Sequence, residues 1–256
     1  MDAGAGQGKG GVPTVSVFLP TYNYGAFLPR ALDSVLAQSV RPLEIVVADD
    51  GSTDDTAQVV GRYGGRVGYR RFEHSGVYTI RQAMLAELKG EWFLNLDADN
   101  WLEPNFLEEA LAIAGRHQGE ERFAFVYPDR VHFGKLNKVM AVPDFDPALL
   151  KERNFLDMNS LVRTEVARRF GFDSAFNDGW GDYDFFLTLV ENGYVGERMI
   201  SSRLHYCVHE GSLSLKSPEL DRRERLMKRM VAKHTGFFSP EEAAAAIEGF
   251  SANRAL

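Results

Sequence analysis

Short apolar runs alternate with helical segments through the first hundred residues, and this alternation limits the fold more than any other feature of the chain. The apolar runs occupy residues 15–19, 44–48, 67–72 and 92–96. Between them, apolar side chains recur at the three- and four-residue spacing of a helix that buries one face. Strands that alternate with helices pair in parallel and carry helices on both faces of the sheet. The sequence therefore predicts an α/β domain built on a mostly parallel sheet.

The alternation ends at about residue 120, but neither a linker nor an internal repeat marks a second domain there. Further elements are predicted as strands at residues 123–127, 161–163 and 199–206 and a helix at residues 183–190. We therefore expect one domain over residues 14–216. Its first half is residues 14–100, which contain the alternation, and its second half is residues 101–216.

The two ends of the chain differ from this domain. Residues 1–13 are Gly-rich and lack apolar periodicity, which predicts a disordered tail. Residues 217–256 are predicted to form a C-terminal helical extension, with helices at residues 218–234 and 240–247. We expect this helical hairpin to pack on the domain. Because its first helix is rich in arginine and lysine, contact with a membrane surface or with a second copy of the chain stays open.

Composition is typical of a globular protein in a reducing compartment. The 256 residues are 45% hydrophobic, which suffices to bury a core without disulfides, and the single cysteine, Cys207, has no partner in the chain. A net charge of −7 disfavours non-specific binding to nucleic acid. No apolar run approaches the roughly 20 residues of a membrane helix, and the first residues lack the core of a signal peptide. A soluble, cytoplasmic protein is predicted.

Acidic residues follow two of the predicted strands, at the sheet edge where ligands of α/β proteins bind. Asp50 ends the second strand, and Asp97 and Asp99 follow the fourth. Asp54 and Asp55 have a simpler interpretation as the start of the next helix. Carboxylates that converge on one area repel one another unless a positive group joins them. Mg²⁺ and Mn²⁺ prefer such oxygen ligands together with the phosphates of a substrate, so the spacing indicates a metal-diphosphate site.

Five segments, in order, resemble the large inverting glycosyltransferase family numbered two. These segments are VSVFLPTYNYGAFLPRALDSVLAQSVRPLEIVVADDGSTDDT, HSGVYTIRQA, GEWFLNLDADN with its Asp-x-Asp (DXD) motif, GWGDYDFFLTL and YCVHEGSLS. They span residues 15–214. The resemblance implies the GT-A fold, a Rossmann-like nucleotide-diphospho-sugar transferase fold. It also implies that residues 14–100 bind the nucleotide and that residues 101–216 bind the acceptor.

The resemblance implies a donor site that recognises a nucleotide-diphosphate sugar, with a uridine nucleotide favoured. Pro20 and Tyr22 are expected to line the nucleobase pocket, Tyr22 by stacking on the base. Asp50 is expected to accept a hydrogen bond from the base. Arg81 falls at the arginine position of the family and is expected to contact the donor phosphate or ribose.

The same resemblance implies a divalent metal cofactor, Mn²⁺ or Mg²⁺. Asp97 is expected to hold the ribose and to lie near the metal, and Asp99 to ligate the metal directly. His209 matches a histidine that completes metal or diphosphate binding in the family. His205, four residues earlier in a predicted strand, is its competitor for that role.

Asp182 matches the general base of the family, which takes a proton from the acceptor hydroxyl during a single displacement that inverts the sugar. The family has Glu immediately before this Asp, whereas this chain has Gly181. The departure removes one carboxylate from the acceptor side and leaves the acceptor class open among saccharides, lipid-linked sugars, teichoic acid, proteins and modified bases. Asp184 is the second candidate for the base.

Two other functions remain as alternatives to a glycosyltransferase. A sugar-phosphate nucleotidylyltransferase uses a similar sheet and metal, but it has a Gly-rich loop with Arg and Lys after the first strand, where this chain has PTYN. A degenerate transferase domain would bind nucleotide-sugar without turnover. The replacement of the family's Glu by Gly181 favours that second alternative, whereas the intact Asp99, Asp182 and His209 argue against it.

Overall fold

The computed structural model describes residues 13–210 and 220–252. The predicted tail therefore lies outside the described residues except for Pro13, as does the end of the late histidine segment, residues 211–214. The strands are β1 (Val15–Thr21), β2 (Glu44–Asp49), β3 (Gly68–Arg71), β4 (Trp92–Asn95), β5 (Trp101–Leu102), β6 (Phe123–Gly134), β7 (Lys138–Met140), β8 (Leu161–Arg163) and β9 (Val195–Val208). The α-helices are α1 (Leu28–Leu36), α2 (Thr56–Gly61), α3 (Val77–Glu87), α4 (Phe106–Arg116), α5 (Pro147–Glu152), α6 (Thr164–Phe170), α7 (Gly181–Glu191), α8 (Leu220–Lys233) and α9 (Pro240–Ala252).

The strands in the described ranges form one mixed sheet in the order β3-β2-β1-β4-β8-β6-β9-β5, with β7 paired to β6. The first four strands are parallel to one another, and β6 runs parallel to β9. Antiparallel pairs join β8 to β4 and to β6, and β5 to β9. Most residues in register are thus in parallel pairs, which confirms the α/β prediction. The carboxyl ends of β1, β2 and β4 meet at one edge.

Each face of the sheet has its own apolar core, because successive side chains of a strand point to opposite faces. Val17 of β1 belongs to a cluster with α1, α2 and α4, whereas Phe18 belongs to a cluster with α3, α6, α7 and α8. Helix α1 shows how sequence sets this packing: Leu28, Ala31, Leu32 and Val35 recur at helical spacing, and all are buried. Helices therefore cover both faces, as the alternation predicts.

Several elements of the second half were not predicted from the sequence. Helix α4 and strand β5 lie between residues 100 and 120, where no element was predicted. Strand β7 and helix α5 lie between the strands predicted at residues 123–127 and 161–163, where no element was predicted either. Strand β6 was expected to end at residue 127, but it continues through Pro128 to Gly134. The register with β9 shifts between Pro128 and Asp129. An irregularity of this kind accommodates a proline, which has no N–H for the ladder.

The helices α8 and α9 pack on the domain, as expected for the C-terminal hairpin. Leu226, Met227 and Met230 of α8 are buried in the same core as α7. Within the described residues, no helix is both long and apolar enough to cross a bilayer.

Polar contacts between α8 and α7 accompany this packing. Lys233 Nζ lies 2.9 Å and His234 Nε2 lies 3.1 Å from the buried carboxylate of Asp184. The other ring nitrogen of His234 lies 2.9 Å from Glu191. The end of α8 is therefore joined to α7, whose first turn contains Asp182.

We expect His234→Ala to lower the free energy of unfolding by about 3 kcal/mol, because it leaves a buried carboxylate without one of its partners. A urea titration of the purified protein measures the change. Lys228→Ala is the matched control on α8, since Lys228 pairs with Glu224 at the surface and such pairs contribute about 0.5 kcal/mol. Equal, small losses in both variants would contradict a structural role for the His234 contacts.

Candidate functional site

The loops after β1 and β2 are tied together by hydrogen bonds and form one wall of the site. The amide oxygen of Asn23 accepts a hydrogen bond from the backbone N–H of Thr53 at 2.7 Å, and the N–H of Asn23 donates to Ser52 Oγ at 2.8 Å. Asn23 has φ 56° and Gly51 has φ 80°, both in the left-handed region that Asn and Gly tolerate best. These turns hold the ends of two neighbouring strands in fixed positions.

Asp50 holds the loop that leads into α3. Its carboxylate accepts hydrogen bonds from the backbone N–H of Ser75 at 2.8 Å and of Gly76 at 3.0 Å. His74 Nδ1 lies 2.9 Å from the same carboxylate. Asp50 is almost fully buried, so these donors compensate a charge that has lost its water.

Tyr22 and Pro20 lie beside Asp50, at the end of β1. Tyr22 is 41% exposed, and its ring stacks on His74 with centroids 4.0 Å apart. Pro20 is buried in register with Ala48, two residues before Asp50. Sequence reasoning did not identify His74, although it stands in the HSG segment that carried the resemblance.

An ion pair between the buried Arg81 and the partly exposed Asp97 joins α3 to the loop after β4. Arg81 Nη2 donates to Asp97 Oδ1 at 2.8 Å, and Arg81 Nε donates to Asn95 Oδ1 at 2.8 Å. The second carboxylate oxygen of Asp97 accepts from Asn159 Nδ2 at 3.0 Å. Asn159 Oδ1 in turn accepts from the backbone N–H of Asp97 at 2.9 Å. The structure thus brings Arg81 and Asp97 together and adds Asn159, which no local sequence pattern indicates.

Asp99 and His209 form a second pair, with Oδ2 and Nε2 3.0 Å apart. The antiparallel pairing of Trp101 with His205 directs β9 back past Asp99, and this places the residue just beyond β9 next to it. Burial, followed by the nearby Asp97, raises the pKa of Asp99 to about 6, although His209 acts to lower it.

His205 occupies a different place from His209. Its ring stacks on Trp101 with centroids 3.4 Å apart, and its Nε2 lies 3.4 Å from Glu103. The ring of His209 instead stacks on Phe27 at 4.9 Å. Of the two histidines, only His209 lies in contact with an acidic residue of the Asp-x-Asp motif.

Asp99 and His209 offer two neighbouring side-chain atoms that could bind a divalent cation. Within the described residues, no group of three or more His, Cys, Asp and Glu side chains is arranged as a metal cluster. Asp99 Oδ2 and His209 Nε2 lie 3.0 Å apart, and a carboxylate oxygen and an imidazole nitrogen are both donor atoms that a divalent cation such as Mn²⁺ accepts. The pair therefore fits a cation that takes its other ligands from a diphosphate and water.

Asp182 lies in the first turn of α7, after an unusual turn. Gly179 has φ 139° and Trp180 has φ 60°, a left-handed conformation that is uncommon for a bulky residue. The Asp182 carboxylate accepts a hydrogen bond from the backbone N–H of Tyr183 at 2.7 Å. Burial raises the pKa of Asp182 to about 6, against the lowering effect of that hydrogen bond, and Asp157 adds to the rise. A carboxyl group tuned in this way can accept a proton near neutral pH.

Asp184 is directed away from Asp182. It is buried, and both of its carboxylate oxygens contact the end of α8, through Lys233 and His234. These contacts give it a structural role, so the geometry favours Asp182 over Asp184 as a base.

Tyr78, in the first turn of α3, contacts both sides of the site. Its hydroxyl oxygen accepts a hydrogen bond from the backbone N–H of Asp182 at 2.9 Å. The guanidinium of Arg81 lies 4.7 Å above the centre of its ring. Sequence reasoning did not identify this tyrosine, because its partner Asp182 is more than a hundred residues away in the chain.

Comparison with known proteins identifies the family and the fold of the chain. The sequence model of the family described as Glycosyl transferase family 2 matches residues 16–179. The hyaluronan synthase of Pasteurella multocida is 30% identical over 189 residues, which cover 71% of this chain and 19% of that synthase. A PGL/p-HBAD biosynthesis glycosyltransferase of Mycobacterium bovis is 34% identical over 188 residues, which cover 70% of this chain and 71% of that glycosyltransferase. The chain therefore spans about a fifth of the length of the synthase.

Solved structures share the fold. S. aureus TarS (residues 1–349, in complex with UDP-GlcNAc) superposes with a TM-score of 0.75 at 18% identity, over 93% of this chain and 71% of the TarS chain. The mannosyltransferase PcManGT of Pyrobaculum calidifontis, in complex with GDP-Man and Mn²⁺, gives a TM-score of 0.62 at 20% identity, over 95% of this chain and 76% of its own. These likenesses confirm the predicted GT-A fold. The family model covers more than half of the chain, and the chain therefore belongs to glycosyl transferase family 2.

Proposed function

We propose that this glycosyltransferase moves a sugar from a nucleotide-diphosphate donor to an acceptor hydroxyl with inversion, and that Asp182 is the general base. The observation that carries the proposal is the environment of Asp182. Its carboxylate is held at the start of α7, burial raises its pKa to about 6, and Arg81 and Asp97 are close enough to influence it. A base of this kind next to a donor-binding arginine is the arrangement that direct displacement requires.

In the proposed mechanism, Asp182 takes the proton of the acceptor hydroxyl as the oxygen attacks the anomeric carbon. Arg81 is held by Asp97 and Asn95, and its charge stabilises the negative charge that grows on the departing diphosphate. Attack and departure take place on opposite faces of the sugar, and the anomeric configuration therefore inverts.

We propose a uridine nucleotide as the donor, bound by residues 14–100. Tyr22 presents an exposed ring for stacking on the base, with Pro20 below it at the end of β1. Each oxygen of a carboxylate has two lone pairs, so Asp50 can accept a hydrogen bond from the base while it holds Ser75 and Gly76. The likeness to TarS, which was solved with UDP-GlcNAc, supports this donor class.

We propose Mn²⁺ or Mg²⁺ as the cofactor, held by Asp99 and His209. Asp97 lies beside this pair, and its oxygens are taken up by Arg81, Asn95 and Asn159. A bound cation supplies positive charge to the diphosphate leaving group. The structure of PcManGT with GDP-Man and Mn²⁺ supports a divalent cation in this fold.

We propose that residues 101–216 bind the acceptor next to Asp182. The similarity to the hyaluronan synthase of Pasteurella multocida favours a hydroxyl of a saccharide as the acceptor. Membership of the glycosyltransferase family replaces the nucleotidylyltransferase interpretation. Incubation of the purified protein with UDP-sugars, Mn²⁺ and a panel of acceptors tests the proposal, and the absence of any transfer or UDP release would contradict it.

Asp182→Asn is expected to lower the transfer rate by a factor of about 10² to 10⁴, because Asn has nearly the same shape but accepts no proton. The affinity for Mn²⁺–UDP should stay unchanged, since other loops form the donor site. Transfer assays and calorimetric titrations measure the two quantities. The control is Asp178→Asn, an exposed residue paired with Arg229, which should be fully active. Normal transfer by Asp182→Asn would assign the base to another residue.

The pH dependence of transfer should report the raised pKa of Asp182. At saturating donor, the rate is expected to rise about tenfold per pH unit below pH 6 and to level off above it, because only the deprotonated carboxylate takes a proton. Nucleotide affinity, followed over the same range, separates this effect from protonation of Asp99. A rate that is flat between pH 5 and 7 would contradict the assignment.

His209→Ala is expected to weaken Mn²⁺-dependent UDP binding by about tenfold or more, since even groups that orient metal ligands typically contribute roughly 10- to 100-fold. His205→Ala is the matched control, because His205 stacks on Trp101 away from Asp99. Calorimetric titration with UDP in Mn²⁺ and in EDTA gives both values. UDP affinity that is equal with and without Mn²⁺ in the unmodified protein would rule out the proposed cofactor.

A further inference from the structure

The ring of Tyr78 fills the space into which a side chain at position 181 would extend. A Cβ atom added to Gly181 would lie 2.4 Å from Cζ and 2.5 to 2.6 Å from both Cε atoms of the Tyr78 ring. Real Cβ contacts are not this short, and the ring is almost fully buried, so it has little room to move. The glutamate that the family has before its base is therefore incompatible with Tyr78 in its present position.

The hydroxyl group of Tyr78 contacts the backbone of the proposed base. It accepts the N–H of Asp182 at 2.9 Å. That N–H is one of the first in α7, and those groups have no partner within the helix itself. The hydrogen bond therefore fixes the position of the helix start, and with it the carboxylate of Asp182, relative to α3.

The face of the Tyr78 ring contacts the guanidinium of Arg81. The guanidinium carbon of Arg81 lies 4.7 Å from the ring centre, an attractive cation–π distance for two buried groups. The backbone N–H of Tyr78 donates to Asn177 Oδ1 at 2.8 Å, and Asn177 Nδ2 donates back to Ser75 O at 3.0 Å. Tyr78 is thus held from both the α3 side and the loop before α7.

We propose that Tyr78 is a positioning residue that takes the space of the family's glutamate and holds Asp182 at a fixed distance from Arg81. Gly181 is required by this arrangement, because only a residue without a side chain leaves room for the Tyr78 ring. A neutral phenol thereby replaces a carboxylate on the acceptor side. The inference rests on the proposed function, since it assigns Asp182 and Arg81 to the two ends of one displacement.

Tyr78→Phe separates the hydroxyl from the ring. Phe retains the ring beneath Arg81 and loses the hydroxyl, which accepts the Asp182 N–H and also interacts with the Arg81 side chain. We expect the kcat for UDP release from UDP-GlcNAc with Mn²⁺ to fall about tenfold, as for the loss of one hydrogen bond, with a smaller change of the donor KM than in Tyr78→Leu. Tyr78→Leu also removes the ring face and should raise the donor KM as well. A normal kcat in Tyr78→Phe would overturn the proposal, as would equal changes of KM in the two variants.

An exchange of sizes tests the second part of the proposal. Gly181→Glu alone should lower both the melting temperature and kcat, because its side chain needs the space of the ring. Adding Tyr78→Ala should then recover the melting temperature and raise kcat at least about tenfold over Gly181→Glu. If Tyr78 is only a core residue, Tyr78→Ala should lower the melting temperature further, because it deletes a buried aromatic ring. A double variant that is worse than both single variants would therefore overturn the proposal.

These outcomes are distinguishable from a failure of the proposed function. An unmodified protein without UDP release or transfer, or an Asp182→Asn variant with normal transfer, contradicts the function. The melting temperatures of Gly181→Glu and of the double variant report the exchange even in a protein without turnover. An active enzyme in which Tyr78→Phe is normal contradicts the role of Tyr78 alone.

Discussion

The ion pair between Arg81 and Asp97 is the interaction on which the site depends. It joins a helix of one apolar core to the strand end that carries the acidic motif, and Asn95 and Asn159 complete its hydrogen bonds. The guanidinium of Arg81 is buried whereas a third of the Asp97 side chain is exposed, so the loss of Asp97 would leave a buried charge without its partner and destabilise the protein. Because Asn159 precedes β8, the same pair also fixes the antiparallel strand through which the first half of the sheet continues into the second.

The three acidic residues nearest the proposed reaction differ in how their charge is compensated. Asp97 pairs with the guanidinium of Arg81, and Asp99 contacts the imidazole of His209. Burial raises the pKa of both Asp99 and Asp182 to about 6, but the carboxylate of Asp182 accepts a backbone N–H where that of Asp99 contacts a potential metal ligand. The raised pKa therefore does not by itself separate the two residues, and the proposed division between a metal ligand and a base rests on these different contacts.

Much of the fold could be predicted because its signals are local. The strand-helix alternation, the polar strand ends and the Asp-x-Asp motif all lie within short windows, and the mostly parallel α/β sheet follows from the alternation. The missed parts depend on distant residues: Asn159 bonds to Asp97 across 62 positions, and Tyr78 to Asp182 across 104. Helix α4 was different, because its six buried residues recur at helical spacing and the signal was present in the sequence. The assignment of metal ligands, donor contacts and base to individual residues remains a prediction.

The exchange at positions 78 and 181 shows why a departure from a family pattern is best interpreted in pairs. Seen alone, Gly181 in place of a glutamate indicates a site that has lost a carboxylate and favours a degenerate domain. Seen with Tyr78, it indicates a site whose space is filled again by a residue from another helix. The phenol contacts Asp182 at its tip and Arg81 on its face, so a single rigid ring spans the gap between base and donor arginine. The packing of Tyr78 accounts for the missing side chain at position 181, so Gly181 by itself does not indicate a degenerate site.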